Sequence, residues 1–309
     1  MAKEENRRLA RLKPNLERRA LIYQFTRAFF REQGFLEVET PARLSEVAPE
    51  QHIIPFKSED WFLSTSPELH MKRLLAAGYD RIFQFSRCFR KGEQGRGHNS
   101  EFTILEWYRS HADYQQMIHD TERLVVTLAN KLQFGRHIQY QNQDIDLTPP
   151  WPGITVREAF RHTAGWDPMV EPNLERFDVD LVAKVIPSFP SNHPTILLDY
   201  PAELASLARL KPGEVAVAER AEVFTGGLEL ANAYSELRDQ REQARRFREE
   251  IRQIQRKTKR KVVLPQKFLK ELARLPECGG IALGMDRLVM LFCNANSIAE
   301  VMSFTVDTA

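Results

Sequence analysis

Residues 81–109 read RIFQFSRCFRKGEQGRGHNSEFTILEWYR. Two runs rich in aromatic and β-branched residues flank the connection 91–100, KGEQGRGHNS. The flanking runs predict strands. The connection is too long, too polar and too glycine-rich for a tight hairpin turn, so it reads as a mobile binding loop between them. Strand alternation puts Phe102, Ile104, Glu106 and Tyr108 on one face. A carboxylate between aromatic neighbours on a central strand is costly unless a cation meets it. Glu106 is therefore either a solvated edge residue or a recognition group for a cation, with Tyr108 as a second polar handle.

Upstream, the spacing of Leu16, Ala20, Tyr23 and Phe30 predicts a helix over 15–33, with Asn15 as N-cap and Gly34 as its end. GFLEVETP (34–41) reads as a short strand closed by Pro41, and WFLST (61–65) as another. Ser66-Pro67-Glu68 supplies an N-cap, a first-turn proline and a first-turn carboxylate for a helix ending near Gly78. Downstream, 113–133 is an amphipathic helix, and 136–200 mixes short strands, short helices and proline-rich turns in which no chemistry is visible. VAVAERAEVF and LELANAYSEL form a hairpin around Gly226-Gly227. A two-residue turn pairs Thr225 with Leu228 and Phe224 with Glu229, so Glu222 shares a face with Glu229 at a diagonal separation of roughly 7 to 8 Å. Such a pair is either a solvated face or a seat for a divalent ion bridging to phosphates, since hard oxygen ligands suit magnesium. A basic helical segment follows from Asp239 to about Lys261. The chain closes with GGIALGMDRLVMLF (279–292), a strand running into an apolar helix. Arg287 in its first turn opposes the helix dipole. It is either half of a surface pair with Asp286 or a nucleotide contact. Antiparallel strands with helices at the start, middle and end define an α+β fold.

Composition narrows the functional classes. The 44 basic and 42 acidic residues leave a net charge near +2, so no general attraction to nucleic acid is expected. Cys88, Cys278 and Cys293 have neither zinc nor disulfide spacing. The N-terminal stretch lacks the apolar core of a signal peptide, and no run reaches membrane-spanning length, so a cytoplasmic protein is expected.

GFLEVETP resembles motif 1 of class II aminoacyl-tRNA synthetases, FRKGEQGRGHNSEFTILEWY resembles motif 2 of the lysine branch, and GGIALGMDRLVML resembles motif 3. SPELHMKRL and LELANAYSEL resemble the lysine-branch segments between them. The resemblance covers the chain from about residue 13 and is weak only over 136–200. It implies a class II catalytic core, an antiparallel sheet flanked by helices, organised as a single domain over 1–309 with a variable insertion at about 136–200.

The same resemblance implies the site roles. Arg90 clamps the substrate carboxylate and the α-phosphate, His98 with Asn99 reaches the outer phosphates of ATP, and Phe102 with Arg287 sandwiches adenine. Glu222 and Glu229 hold Mg2+. Glu68, beside Ser66, takes the near amino group of the substrate. Glu106, Tyr108 and Glu236 take its distant ammonium, and Asn232 supports its carboxylate end. Arg90, Arg287 and Glu229 are the catalytic candidates. Synthetases read Phe-Arg-Asn-Glu in motif 2, whereas Phe89-Arg90-Lys91-Gly92 has glycine at the fourth position, with Glu93 as the candidate substitute.

The resemblance starts at the catalytic core, and no OB-fold that reads an anticodon is expected. In this it resembles the elongation factor P lysine ligase family, which activates lysine or (R)-β-lysine and transfers it to a lysine side chain of elongation factor P, so that tRNA is not the expected acceptor. The alternatives are a truncated synthetase that uses tRNA or another amine, and a catalytically silent regulatory paralogue. Motif 1 also implies a homodimer, in which Tyr23, Phe25, Phe29 and Phe30 supply more apolar surface than one core-facing stripe needs. Arg245, Arg246, Arg248, Arg252, Arg256, Lys257, Lys259, Arg260 and Lys261 are read as a docking surface for the acidic acceptor protein, or else as a solvated helix face. At Ala282 the synthetases have glycine. Its methyl group either narrows the pocket in favour of β-lysine or is ordinary core packing.

Overall fold

A computed structural model of the chain describes residues 2–258 and 260–309. The chain divides into two compact units. One comprises the chain up to His111 with Arg238–Cys278 and Leu283–Ala309; the other comprises Ala112–Leu237 with Gly279–Ala282.

In the first unit the strands Arg81–Phe89 and Glu101–Ser110 run antiparallel, with Gln84 opposite Glu106 and Ile82 opposite Tyr108. The short strand Leu36–Glu37 lies parallel to the first of them. The sheet is thus mixed, mostly antiparallel. The opening helix runs over Ala2–Glu32 rather than starting at Asn15. The extra turns are held by tertiary contacts that local propensity does not register: Arg8 donates to the Ser303 carbonyl at 2.9 Å and lies over the Phe304 ring, and Asn15 donates to the Glu300 carbonyl at 3.0 Å. Asn15 therefore caps nothing, and the helix runs through Pro14. Phe30 stacks on Phe83 at 4.7 Å and meets Phe35 and Trp107 edgewise or tilted. Tyr23 stacks on Phe85, and Phe29 and Phe30 are buried. Three of the four aromatics expected at a dimer interface thus fill the unit's own core, where stacking adds to area burial.

The helix Glu68–Ala76 begins where expected: the Glu68 N–H donates to Ser66 Oγ at 3.0 Å. The closing helix Met285–Cys293 is fastened by Asp286, which is buried, pairs with Arg19 at 2.6 Å and accepts from the Thr103 N–H at 2.8 Å. The surface-pair reading of Asp286 with Arg287 is thereby excluded, because Asp286 belongs to the interior.

In the second unit the strands Glu214–Thr225 and Leu228–Ser235 form the expected hairpin, with Gly226 and Gly227 both at positive φ. A side chain at Gly226 would come within 2.6 Å of Tyr140 Cδ1, so space as well as φ selects glycine there. Thr195–Pro201 pairs antiparallel with Glu214–Thr225 and parallel with Gly153–Thr155. The helix Tyr114–Lys131 is capped by Asp113, which accepts from the Gln116 N–H at 3.0 Å. The 136–200 region has the expected mixture and contributes a core of Val156, Phe160, Trp166, Phe177 and Leu197.

Candidate active site

Candidate site residues gather charged side chains in both units. In the first unit, Glu106 is buried and lies on the face that alternation predicts. Its Oε1 accepts from Ser66 Oγ at 2.6 Å and its Oε2 from Tyr108 Oη at 2.8 Å. The edge-strand reading is excluded. Burial, and then the nearby charge of Glu68, push the Glu106 carboxyl up to about 7; the two hydroxyl donors oppose that rise. Ser66 Oγ thus accepts from a helix N–H and donates to Glu106, tying the helix start to the strand. Glu68 is met by the ammonium of Lys72 at 2.5 Å, and Lys72 itself is buried. Sequence reasoning missed Lys72, although its i+4 spacing from Glu68 is the usual helical ion-pair spacing.

Arg90 lies at the end of the same sheet. Its Nε donates to the Thr65 carbonyl at 3.2 Å, its guanidinium lies over the Phe102 ring at 5.1 Å, and Nη1 is 3.7 Å from Glu93. The loop carboxylate thus stands one residue beyond Gly92, which has positive φ. Arg287 Nη2 donates to His98 Nε2 at 2.6 Å and Nε to the Gly97 carbonyl at 3.4 Å, bringing two of the expected ATP ligands together. Asn99 is buried, and both ends of its amide are engaged by backbone: Nδ2 donates to the Glu101 carbonyl and Oδ1 accepts from the Val306 N–H.

In the second unit a bulge between Val223 and Phe224 changes the register. Phe224 faces Glu229 as expected, but Glu222 then faces Asn232. The one-step diagonal between Glu222 and Glu229 therefore does not continue from the turn, because the extra residue advances the Leu228–Ser235 strand by one. The carboxylates remain electrostatic neighbours. Glu222 is buried, and its pKa is raised by that burial and by Glu229, while Arg220 opposes the rise. Asn232 Nδ2 donates to Glu222 Oε1 at 3.3 Å, and Arg220 Nη2 donates to the same oxygen at 2.6 Å. Glu236 is buried at the end of its strand, and Ala282 is half-buried while Ile281 and Leu283 are fully covered. Arg220 was also missed by sequence reasoning, though it precedes Glu222 by two on one strand and so shares its face.

The mixed, mostly antiparallel α+β fold is that of a class II synthetase domain, and the family model of class II tRNA synthetases (D, K and N) matches residues 6–308. The chain belongs to that family. Among its relatives, the elongation factor P--(R)-beta-lysine ligase of Salmonella paratyphi B (strain ATCC BAA-1250 / SPB7) is 38% identical over 322 residues, covering 96% of each chain. The proteins of the same name from Salmonella heidelberg (strain SL476) and Salmonella agona (strain SL483) match to the same extent.

Proposed function

We propose that this chain uses ATP to activate (R)-β-lysine, or lysine, as an aminoacyl-adenylate and transfers the aminoacyl group to a lysine side chain of elongation factor P. The observation that carries this reading is Glu106: a buried carboxylate held between two hydroxyl groups, near Glu68 and Arg90, in a chain 38% identical to ligases of that name. A substrate with two ammonium groups and one carboxylate answers such a set of charges. Incubation of labelled amino acid and ATP with purified elongation factor P or with tRNA tests the reading. Label on the protein is expected, and label on tRNA alone would overturn it in favour of a synthetase.

In the first half-reaction a carboxylate oxygen of the amino acid attacks the α-phosphorus and pyrophosphate leaves. In the second the acceptor amine attacks the carbonyl carbon, loses a proton, and AMP leaves. Both halves are catalysed by positioning and charge neutralisation. Arg90 clamps the carboxylate and α-phosphate through a planar fork. Glu68 takes the near amino group; Glu106, Tyr108 and Glu236 take the distant ammonium; Asn232 steadies the carboxylate end. His98 and Arg287 serve the nucleotide, Phe102 offers adenine an aromatic face, and Asn99 fixes the end of the loop that carries His98. Glu222 and Glu229 fit a magnesium ion, since buried Glu222, whose proton affinity is raised by burial and by the charge of Glu229, gains from a cation held by both carboxylates. When bound, that ion supplies charge neutralisation to the phosphates. A single catalytic domain over 1–309 is the proposed organisation. Among the described residues no helix is long and apolar enough to cross a membrane, which fits the proposed cytoplasmic location.

The half-exposure of Ala282 favours its role as a pocket wall over core packing. Its methyl group crowds an α-amino substrate more than a β-amino one. Ala282→Gly is expected to lower the preference for (R)-β-lysine over lysine in kcat/KM by roughly ten- to two-hundredfold, the usual worth of one methyl in a pocket. An unchanged ratio defeats the assignment.

A homodimer is the proposed assembly. Its support in this structure is the exposure of Leu21 and Leu36, on the opening helix and the adjoining strand. A monomer mass by light scattering at micromolar concentration would rule it out.

The basic segment is proposed to steer the acceptor. Its helix is Gln240–Thr258; Arg245 and Arg246 both pair with Glu242, Arg252 pairs with Glu249, and Arg260 donates to the Ile53 and Glu50 carbonyls. Arg248, Arg256, Lys257 and Lys261 are exposed, and Lys259 lies outside the described residues. Charge reversal at Arg248, Arg256 and Lys257 is expected to slow transfer several-fold and leave adenylation unchanged. Transfer rates that ignore both the substitutions and salt count against steering.

A further inference from the structure

We infer that Arg220 is a positioning residue that sets Glu222 and Asn232 in one rigid arrangement, so that cation binding and the seating of the substrate carboxylate depend on a single guanidinium. The inference rests on the roles proposed above for Glu222 and Asn232 and adds a residue to which no role has been given. Arg220 Nη2 donates to Glu222 Oε1 at 2.6 Å, Nε to Asn232 Oδ1 at 3.3 Å and Nη1 to the Leu204 carbonyl at 2.8 Å. Its guanidinium lies over two rings, 4.4 Å from the Tyr200 centroid and 5.7 Å from that of Tyr234.

All three arms of the fork are therefore occupied and both ring contacts constrain its rotation, an arrangement that only a planar guanidinium can make. Asn232 completes the loop by donating to the oxygen of Glu222 that Arg220 already holds. Oε1 is thus doubly engaged, and Tyr200, whose ring lies against Arg220, also bears on the Glu222 carboxylate. The orientation of the Asn232 amide is set by the same contacts: its Oδ1 is turned to Arg220 and its Nδ2 to Glu222. A lysine at 220 would keep the charge beside Glu222 but could not hold all three acceptors, so the two side chains would lose their common frame.

The test compares wild type with Arg220→Lys, Glu222→Gln and Asn232→Ala. Binding of Mn2+ together with a non-hydrolysable ATP analogue is followed by electron paramagnetic resonance, and KM for the amino acid is followed by pyrophosphate exchange. Arg220→Lys is expected to raise the half-saturating Mn2+ concentration and the amino-acid KM together, each by at least fivefold. In Arg220→Lys/Asn232→Ala the KM effects should fall short of the product of the singles, since residues in one network do not act independently. If Arg220→Lys lowers only thermal stability and leaves both quantities within twofold, or if the double variant is multiplicative, the inference is overturned. If instead Glu222→Gln leaves Mn2+ binding unchanged, it is the proposed cation site that fails. Should Arg220→Lys not fold, Tyr234→Leu removes one of the two ring contacts, spares the three acceptors and is expected to shift both quantities two- to fivefold in the same direction; no shift overturns the inference.

Discussion

Glu106→Gln is expected to lower kcat/KM for lysine-type substrates in pyrophosphate exchange by roughly two to four powers of ten, while the variant folds normally. The expectation follows from burial. A substrate ammonium enclosed with a neutral amide in place of a carboxylate is a broken buried ion pair, which typically costs about 3 to 5 kcal/mol. The fold should tolerate the change because Gln is isosteric and its carbonyl oxygen can still accept from Ser66 or Tyr108. Glu236→Gln, also buried, is expected to behave alike. Exchange within threefold of wild type at low substrate concentration, in both variants, would show that the ammonium is bound elsewhere.

The raised pKa of Glu106 adds a pH signature. In the folded, ligand-free protein this carboxyl releases its proton at about 7, against an ordinary value of 4.5. Between those values the folded state binds more protons than the unfolded chain. The stability contributed by Glu106 therefore falls as pH rises from 4.5 to about 7, and is constant above. The ammonium requires the ionised form, so the amino-acid KM should rise as pH falls below about 7 and level off above it. Glu106→Gln should abolish that limb in addition to raising KM. A wild-type KM that does not change between pH 6 and 8 would contradict the assignment.

Arg90→Lys is the second large effect expected, a loss of roughly 10²- to 10³-fold in kcat for adenylation, in the range seen when one preorganised donor to a developing anion is removed. Charge is retained in this variant and geometry is not. Lysine cannot present two parallel N–H groups to a carboxylate and a phosphate, nor keep the planar contact with Phe102. The Arg90 side chain is tied to the Thr65 carbonyl, to Glu93 and to the Phe102 ring at the end of its strand, contacts that a lysine keeps in part, so the melting temperature should change little. A kcat within threefold of wild type would remove Arg90 from the catalytic group.

Much of this protein was readable from residue order alone, where a physical signal is local. Period-two alternation placed Glu106 and Tyr108 on one face, and the structure joins them by a hydrogen bond. Gly226-Gly227 specified a two-residue hairpin because both positions need positive φ. The motif blocks in their order carried the family, which the match over residues 6–308 bears out.

Other features depend on groups distant in sequence. The first turns of the helix from Ala2 are rich in helix formers, but their docking against the C-terminal segment through Arg8 and Asn15 joins groups 295 and 285 residues apart. The bulge that turns Glu222 towards Asn232 depends on how two strands pair, and Asp286 reads as a surface charge until Arg19 and the Thr103 N–H reach it. Residue order determined the elements, their faces and the chemical types at the site, because propensity, alternation and turn stereochemistry act over a few residues. The tertiary structure alone decided which charge meets which, and so that Glu106 holds its proton to about 7 and that Arg220 grips Glu222. Burial and Coulomb interaction depend on distance in space, which residue order does not record.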